Sequence, residues 1–179
     1  MKLVKKLIFL FFLTAFSMPL FAAVSDGEQA FKKLSGLVGN WIGKSGSGRE
    51  HRVNYRLTAG DTVLVETWSL SSGRESMTLY HLDGESLIAT HYCPQGNQPR
   101  LVLMPGDGAM HFAFLDGTNL QVPGKSHQFS FWLKINDSGH FQRNEVYVEN
   151  GTSPETTQVE DPKEIFSYTR TDTAAAATK

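Results

Sequence analysis

The sequence predicts an all-β protein, an antiparallel up-and-down β-barrel of about nine or ten strands preceded by one short helix. From Trp41 onward, apolar and polar residues alternate with a period of two, which is typical of half-buried strands. Gly, Asp, Asn and Pro interrupt this alternation about every 8–12 residues, the spacing expected of a meander. No helical pattern separates the strands, so consecutive strands are expected to pair antiparallel.

The helix is predicted over residues 27–38, where apolar residues recur at a spacing near 3.6. The strands are predicted over residues 41–44, 51–58, 62–70, 75–82, 86–93, 99–104, 109–115, 126–136, 140–149 and 164–170. Asp83-Gly84 is the strongest hairpin signal, because a type I′ turn needs two residues that tolerate positive φ. Asp116-Gly117 is predicted as another turn.

Closure into a barrel is favoured because exposed strand edges invite pairing with other chains. A two-sheet sandwich is the alternative, but consecutive short hairpins fit a meander better than the long returns of a Greek key. Barrels of slightly more than eight strands leave internal room for a ligand.

Residues 1–23 are predicted to be a cleaved export signal. Three lysines within the first six residues precede the apolar run 7–13, and the small residues Ala22 and Ala23 follow. The apolar run is shorter than the roughly 20 residues of a membrane span, so no stable membrane insertion is expected after cleavage. We therefore expect a periplasmic or secreted barrel domain over residues 24–170, with a disordered tail over 171–179.

Charge and cysteine content limit the classes of partner. The chain has 17 basic and 18 acidic residues, so no basic footprint for nucleic acid is present. Cys93 is the single cysteine, so an internal disulfide cannot form. Its thiol is expected to be either buried in the core or reactive.

The densest polar cluster spans residues 90–100, which leave one predicted strand, cross a loop and enter the next. Gly96 permits unusual φ values there and Pro99 stiffens the loop. The candidate ligand-binding residues of this segment are His91, Tyr92, Cys93, Asn97, Gln98 and Arg100. The alternative is structural, since such a loop can hydrogen-bond to its own backbone.

Glu66 lies between apolar neighbours in a predicted strand. A carboxylate turned inward would need a partner such as Arg100, or a proton. A Glu66–Arg100 pair inside the barrel would be either a structural clamp or the polar end of a ligand pocket. Glu66 could equally face solvent, so both orientations stay open.

A long motif in the middle of the chain resembles a bacterial family of calycin-like proteins. The motif consists of Tyr80-His81-Leu82-Asp83-Gly84-Glu85, Leu87, Thr90-His91-Tyr92-Cys93 and Gly96-Asn97-Gln98-Pro99-Arg100, and the resemblance extends to Leu37-Val38-Gly39-Asn40-Trp41-Ile42-Gly43, Leu64-Val65-Glu66-Thr67, Asp116-Gly117-Thr118-Asn119 and His127. It covers most of the chain that follows the predicted signal. The resemblance implies a lipocalin-like or nitrobindin-like barrel.

In such barrels a Gly-x-Trp sequence near the first strand closes one end, and Gly39, Trp41 and Gly43 are similar to it. Nitrobindin-like barrels bind haem through a histidine on a late strand, with which His127 or His140 can be compared. Haem is therefore one cofactor that the resemblance suggests. The sequence has no Cys-x-x-Cys-His, which excludes covalent c-type attachment.

His91 and Cys93 would share one face of a strand but stand about 6.6 Å apart by rise, too far for a direct catalytic pair. A metal held by both would need a third ligand that the sequence does not identify, so no metal site is assigned. The usual hydrolase and phosphate-binding motifs are also missing from the sequence.

These observations predict an exported barrel that binds a small, partly apolar molecule, with no reaction assigned. One alternative is a haem-binding or thiol-based redox protein or enzyme. A second is a purely structural barrel in which the polar motif only helps the chain to fold.

Overall fold

The computed structural model describes residues 26–70, 72–151 and 162–171. It confirms the predicted fold class, since ten antiparallel strands form one closed barrel and a short helix precedes them. The predicted export signal over residues 1–23 lies outside the described residues, as does the predicted tail beyond Thr171.

Helix α1 covers Asp26–Ser35, and a short 3-10 helix covers Pro162–Glu164. The strands are β1 (Gly39–Ser45), β2 (Glu50–Thr58), β3 (Val63–Ser69), β4 (Glu75–Asp83), β5 (Ser86–Tyr92), β6 (Gln98–Leu103), β7 (Met110–Thr118), β8 (Ser126–Asp137), β9 (His140–Glu149) and β10 (Phe166–Arg170). Each strand pairs with its neighbours in sequence, and β1 pairs with β10 to close the ring. Closure leaves no free strand edge, which removes the hazard of edge-to-edge pairing.

Two turns differ from the sequence prediction. Asp83 pairs with Ser86, so the β4–β5 turn is formed by Gly84 and Glu85. Asp116-Gly117 is not a turn, because β7 continues to Thr118. Arg100 pairs with Asp116 and Leu101 pairs with Phe114, so β7 has one extra residue at this point. A β-bulge in the β6–β7 ladder accommodates that residue, and the pairing continues on both sides of it.

One end of the barrel is closed by α1 and Trp41. The Trp41 side chain is 1% exposed, and its indole Nε1 donates to the carbonyl of Leu37, 2.7 Å away. The Arg170 guanidinium lies 4.3 Å from the centre of the Trp41 ring and donates to the carbonyls of Val38 and Gly36. The first and last strands are thereby joined to the chain that leads into the barrel.

Aromatic rings fill the barrel next to this closed end. Phe141 stacks on Tyr168 with centroids 4.3 Å apart and meets Trp41 edge-on. Phe112 and Phe131, on the adjoining strands β7 and β8, stack in the same way at 4.6 Å. Close packing of this kind leaves little internal space, so room for a ligand exists toward the other end of the barrel.

The predicted structural glycines lie at the start of β1. Gly39 has a φ of 134°, a conformation that favours glycine. A Cβ atom on Gly43 would lie 2.2 Å from a ring carbon of Tyr168, whose ring is buried against Phe141. Glycine at position 43 is therefore required because the ring of Tyr168, its partner on β10, lies over it.

We expect Gly43→Ala to lower the free energy of unfolding by about 1–3 kcal/mol, the usual effect of overpacking a core. Urea denaturation measures this change. Gly106→Ala is the matched control, because a Cβ there meets nothing within 4 Å. It should change stability by less than about 0.5 kcal/mol. Equal stability of both variants would contradict the packing described for Tyr168.

Candidate functional site

The barrel has a cavity of about 380 Å³ at the end opposite α1. Its wall includes Trp68, His91, Glu145 and Tyr147. A second cavity of about 290 Å³ shares three of these residues and reaches Arg143. Together they form one recess at what we call the open end of the barrel. The recess combines aromatic rings with a small number of polar groups, as ligand sites commonly do.

A buried ion pair forms the floor of the recess. Arg143 is 1% exposed, and its NH1 donates to Oε2 of Glu66 at 2.8 Å. Glu66 is fully buried and also accepts hydrogen bonds from the Trp68 indole and, at 2.5 Å, from the Tyr80 hydroxyl. The guanidinium lies between two rings, 4.2 Å from the centre of Phe131 and 5.0 Å from that of Trp68. Such enclosure fixes the position of Arg143.

Arg143 also binds a second carboxylate. Its Nε and NH2 both lie 2.8 Å from Oε1 of Glu145. Burial alone lowers the pKa of Arg143, but the charges of Glu66 and Glu145 more than offset it and hold that pKa well above its ordinary value. The guanidinium is thus a permanent charge with a carboxylate on each side.

Two histidines line the upper wall of the recess. His51 stacks on Phe166 with centroids 4.2 Å apart, and its Nδ1 has no hydrogen-bond partner. His91 Nδ1 lies 3.0 Å from the Thr78 hydroxyl, while its buried Nε2 has no partner. Burial is the main cause that lowers the pKa of both rings below the ordinary value. Both imidazoles are therefore neutral at pH 7.

The loop that follows β5 forms one side of the rim. The backbone N–H of Cys93 donates to the carbonyl of Asn97, and the N–H of Gly96 donates back to Cys93. Asn97 Nδ2 donates to the backbone carbonyl of Ser126 at 2.8 Å, which ties the loop to the start of β8. Gln95 exchanges two hydrogen bonds with the same serine. The loop is therefore held rigidly at the mouth.

Only some of the residues predicted from the polar motif line the recess. His91 and Cys93 line the recess, with the Cys93 thiol half-buried and free. Tyr92 is 42% exposed on the outer face of the barrel. Gln98 lies outside as well and accepts a hydrogen bond from the Thr118 hydroxyl. Asn97 is buried, but its contact with Ser126 gives it a structural role at the rim.

The proposed pairing of Glu66 with Arg100 is wrong. Arg100 is exposed on the outer face, where its Nε donates to Asp116 at 2.6 Å. The inward orientation of Glu66 is the correct alternative, and its partner is Arg143. Strand alternation explains the difference, because Arg100 precedes the bulge and points away from the interior that contains Leu101.

The histidines suggested as haem ligands do not enter the recess. His127 pairs with Val148, on the face opposite to Tyr147, and its Nδ1 lies 2.8 Å from Oδ1 of Asn150. His140 is exposed and contacts Asp137. Neither imidazole lines the cavity that contains the His91 ring.

The sequence analysis missed most of the recess. The inward positions of β9 are Phe141, Arg143, Glu145 and Tyr147, at a strict spacing of two. Extending the alternation from Phe141 would have placed both charged residues inside the barrel. His51 and Trp68 could have been found in the same way from the buried residues Val53 and Leu64 on their own strands.

Two other kinds of site are absent from residues 26–70, 72–151 and 162–171. No group of three or more His, Cys, Asp or Glu side chains there has an arrangement that could hold a metal ion. None of the helices in that part has both the length and the hydropathy needed to cross a bilayer.

Replacing Arg143 by methionine should lower the free energy of unfolding by about 3–5 kcal/mol, because it leaves a buried carboxylate without its counter-charge. Arg100→Met is the control. It removes an exposed pair with Asp116 and should cost less than about 1 kcal/mol. Chemical denaturation of both variants makes the comparison, and a larger loss for Arg100→Met would contradict the assignment.

His91 should make stability depend on pH. The unfolded chain binds a proton on this ring near pH 6.5, and the folded protein binds it only at lower pH. Its contribution is therefore fully present above about pH 6.5 and is lost as the pH falls toward the lowered folded pKa, with a slope of at most about 1.4 kcal/mol per pH unit. Urea titrations between about pH 7.5 and 5.5 measure the free energy of unfolding, which should decline less steeply with falling pH in His91→Gln than in the native protein.

His140→Gln is the matched control, because that ring is exposed beside Asp137. This substitution should leave the decline in the free energy of unfolding between these pH values nearly the same as in the native protein. If His91→Gln and His140→Gln behaved alike, the buried ring at position 91 would not be the titrating group.

Comparisons with known proteins add no assignment to this geometry. A scan against protein-family models gives no match, and a search of curated proteins also gives none. The recess and the sequence are therefore the basis for the function proposed below.

Proposed function

We propose that this chain is an exported, calycin-like barrel that binds a small, partly apolar molecule in the recess at its open end. The observation that carries the proposal is a cavity of about 380 Å³ whose aromatic wall contains polar atoms without protein partners. No reaction is assigned to the site.

The unpartnered atoms favour an occupied recess. His51 Nδ1 and His91 Nε2 are both buried without a hydrogen bond. Each such group costs about 1–3 kcal/mol unless a ligand or water satisfies it. A ligand with polar atoms would recover part of that cost.

The size of the recess limits the ligand to a compact molecule. Ligand pockets commonly span about 300–1,000 Å³, so this cavity lies near the lower limit. Packed rings around Phe112 and Phe131 occupy the barrel below it. A long chain that runs the length of the barrel axis would therefore not fit.

Export is supported by the sequence alone. Lysines before an apolar run, followed by Ala22 and Ala23, are typical of a cleaved secretory signal. We propose a periplasmic or secreted location for the barrel on that basis. The calycin-like relationship is supported by the central motif from Tyr80 to Arg100 and agrees with the up-and-down barrel.

Native mass spectrometry of the protein purified from its own host tests both the cleavage of the signal and the binding of a ligand. We expect a polypeptide mass that begins at Val24 and an additional small bound mass. Ser76→Phe should remove at least about 90% of the bound mass, because Ser76 lines the recess and a phenyl ring there fills its mouth. Thermal unfolding establishes that the variant is folded.

Ser167→Phe is the matched control, since Ser167 is an exposed residue on β10. It should keep the bound mass. Repeated absence of a bound mass, or equal retention in both variants, would contradict ligand binding in the recess. A mass that retained residues 1–23 would contradict cleavage.

A further inference from the structure

We infer that the ligand of this recess is a compact organic cation, a protonated amine or amidine on a flat apolar group, whose charge is bound by Glu145 among the aromatic rings of the wall. This inference rests on the proposed function and names the chemical class of the ligand.

The charges that face the interior do not balance. Glu66 and Glu145 both bind Arg143, and among the described inward-facing groups Arg143 is the cation that neutralises them. Glu66 is fully buried and already accepts from Trp68 and Tyr80 as well. The excess negative charge therefore lies at Glu145, whose side chain is 21% exposed toward the recess.

The geometry of Glu145 leaves one oxygen for a ligand. Oε1 is bound by the Arg143 guanidinium, whereas Oε2 accepts one hydrogen bond, from the Tyr147 hydroxyl at 3.3 Å, and can accept a second from a ligand. A charged N–H donor forms its strongest hydrogen bonds with a carboxylate. Oε2 is thus the natural acceptor for a cationic group entering from the mouth.

An anionic ligand has no comparable receptor. Nε and NH1 of Arg143 donate to Glu145 and Glu66, and NH2, which makes no hydrogen bond, lies 2.8 Å from Oε1 of Glu145, so the charge of the guanidinium is already paired with two carboxylates. Its central carbon also lies over the rings of Trp68 and Phe131. The rings of the two histidines carry no positive charge at pH 7. A carboxylate or phosphate would have to approach Glu145 without a free buried cation to receive it.

The arginines at the rim do not reverse this balance. Arg49 lines the recess but forms an ion pair with Glu164 on the 3-10 helix. Arg74 lines the outer rim, where its Nε is 3.4 Å from the Ser72 hydroxyl and both residues are exposed. Solvent screens a charge at that position far more than one in the recess.

The wall suits the apolar part of such a cation. Trp68 and Tyr147 line the same cavity as Glu145. The Arg143 guanidinium already lies over the Trp68 ring, which shows a cation bound by this aromatic face. Aromatic faces attract cations and also pack flat apolar groups. The neutral His51 Nδ1 and His91 Nε2 provide unpartnered polar atoms beside the carboxylate.

Three probes with one ring separate the charge classes: benzylamine as the cation, benzoate as the anion and benzyl alcohol as the neutral molecule. Isothermal titration calorimetry on the full protein after export should give an affinity for benzylamine at least about tenfold above that for either other probe. Glu145→Gln should lower the benzylamine affinity by about tenfold or more. Glu50→Gln, an exposed glutamate on β2, is the matched control and should leave it unchanged.

Benzoate or benzyl alcohol binding as tightly as benzylamine would overturn the inference. If that binding were lost in Ser76→Phe, the recess would remain the site and only the charge class would be wrong. If Ser76→Phe left the binding of all three probes unchanged, the proposed function would fail as well. The probe comparison on the native protein decides the matter even if Glu145→Gln does not fold, and Glu145→Asp, which keeps the charge, should retain the preference for benzylamine.

Discussion

The buried cation Arg143 organises the interior of this barrel. Its guanidinium lies between the rings of Trp68 and Phe131 and is bound at its edges by Glu66 and Glu145. A charge in this position is stable only when it is fully enclosed and paired. Glu66 lies on β3 and Arg143 on β9, which are on different walls, so this ion pair depends on the closed barrel, whereas Glu145 is a neighbour of Arg143 on β9.

Arg143 also separates the barrel into two halves with different properties. Toward α1, stacked rings such as Phe141 and Tyr168 fill the interior and support Trp41 at the closed end. Toward the mouth, the inward groups become polar and the packing opens into the recess beside Glu145. The packed core and the recess that we propose as a binding site thus lie at opposite ends of one fold, so a change at the mouth need not disturb the core.

The sequence predicted the strands closely because apolar and polar residues alternate with a period of two along each strand, and each strand ends at a turn residue. The failures came from local irregularities that alternation cannot show. The bulge beside Arg100 extended β7 past Asp116-Gly117, and Arg100 paired with Asp116 outside the barrel. The polar motif covers the end of β5 and the loop at the rim, and of its residues His91 and Cys93 line the recess. The charged residues of β9 are a different case, because the alternation that begins at Phe141 does place them inward but no local motif marks them as residues of a site.

The sequence by itself determined the all-β class, the meander order and the inward side of most strands, because these follow from contacts between neighbours along the chain. It also contains the features that predict export. Only the tertiary structure decided which charges meet, since Glu66 and Arg143 are 77 positions apart and come together through closure of the sheet. The same closure sets how much of the interior the rings fill, and therefore where a ligand has room.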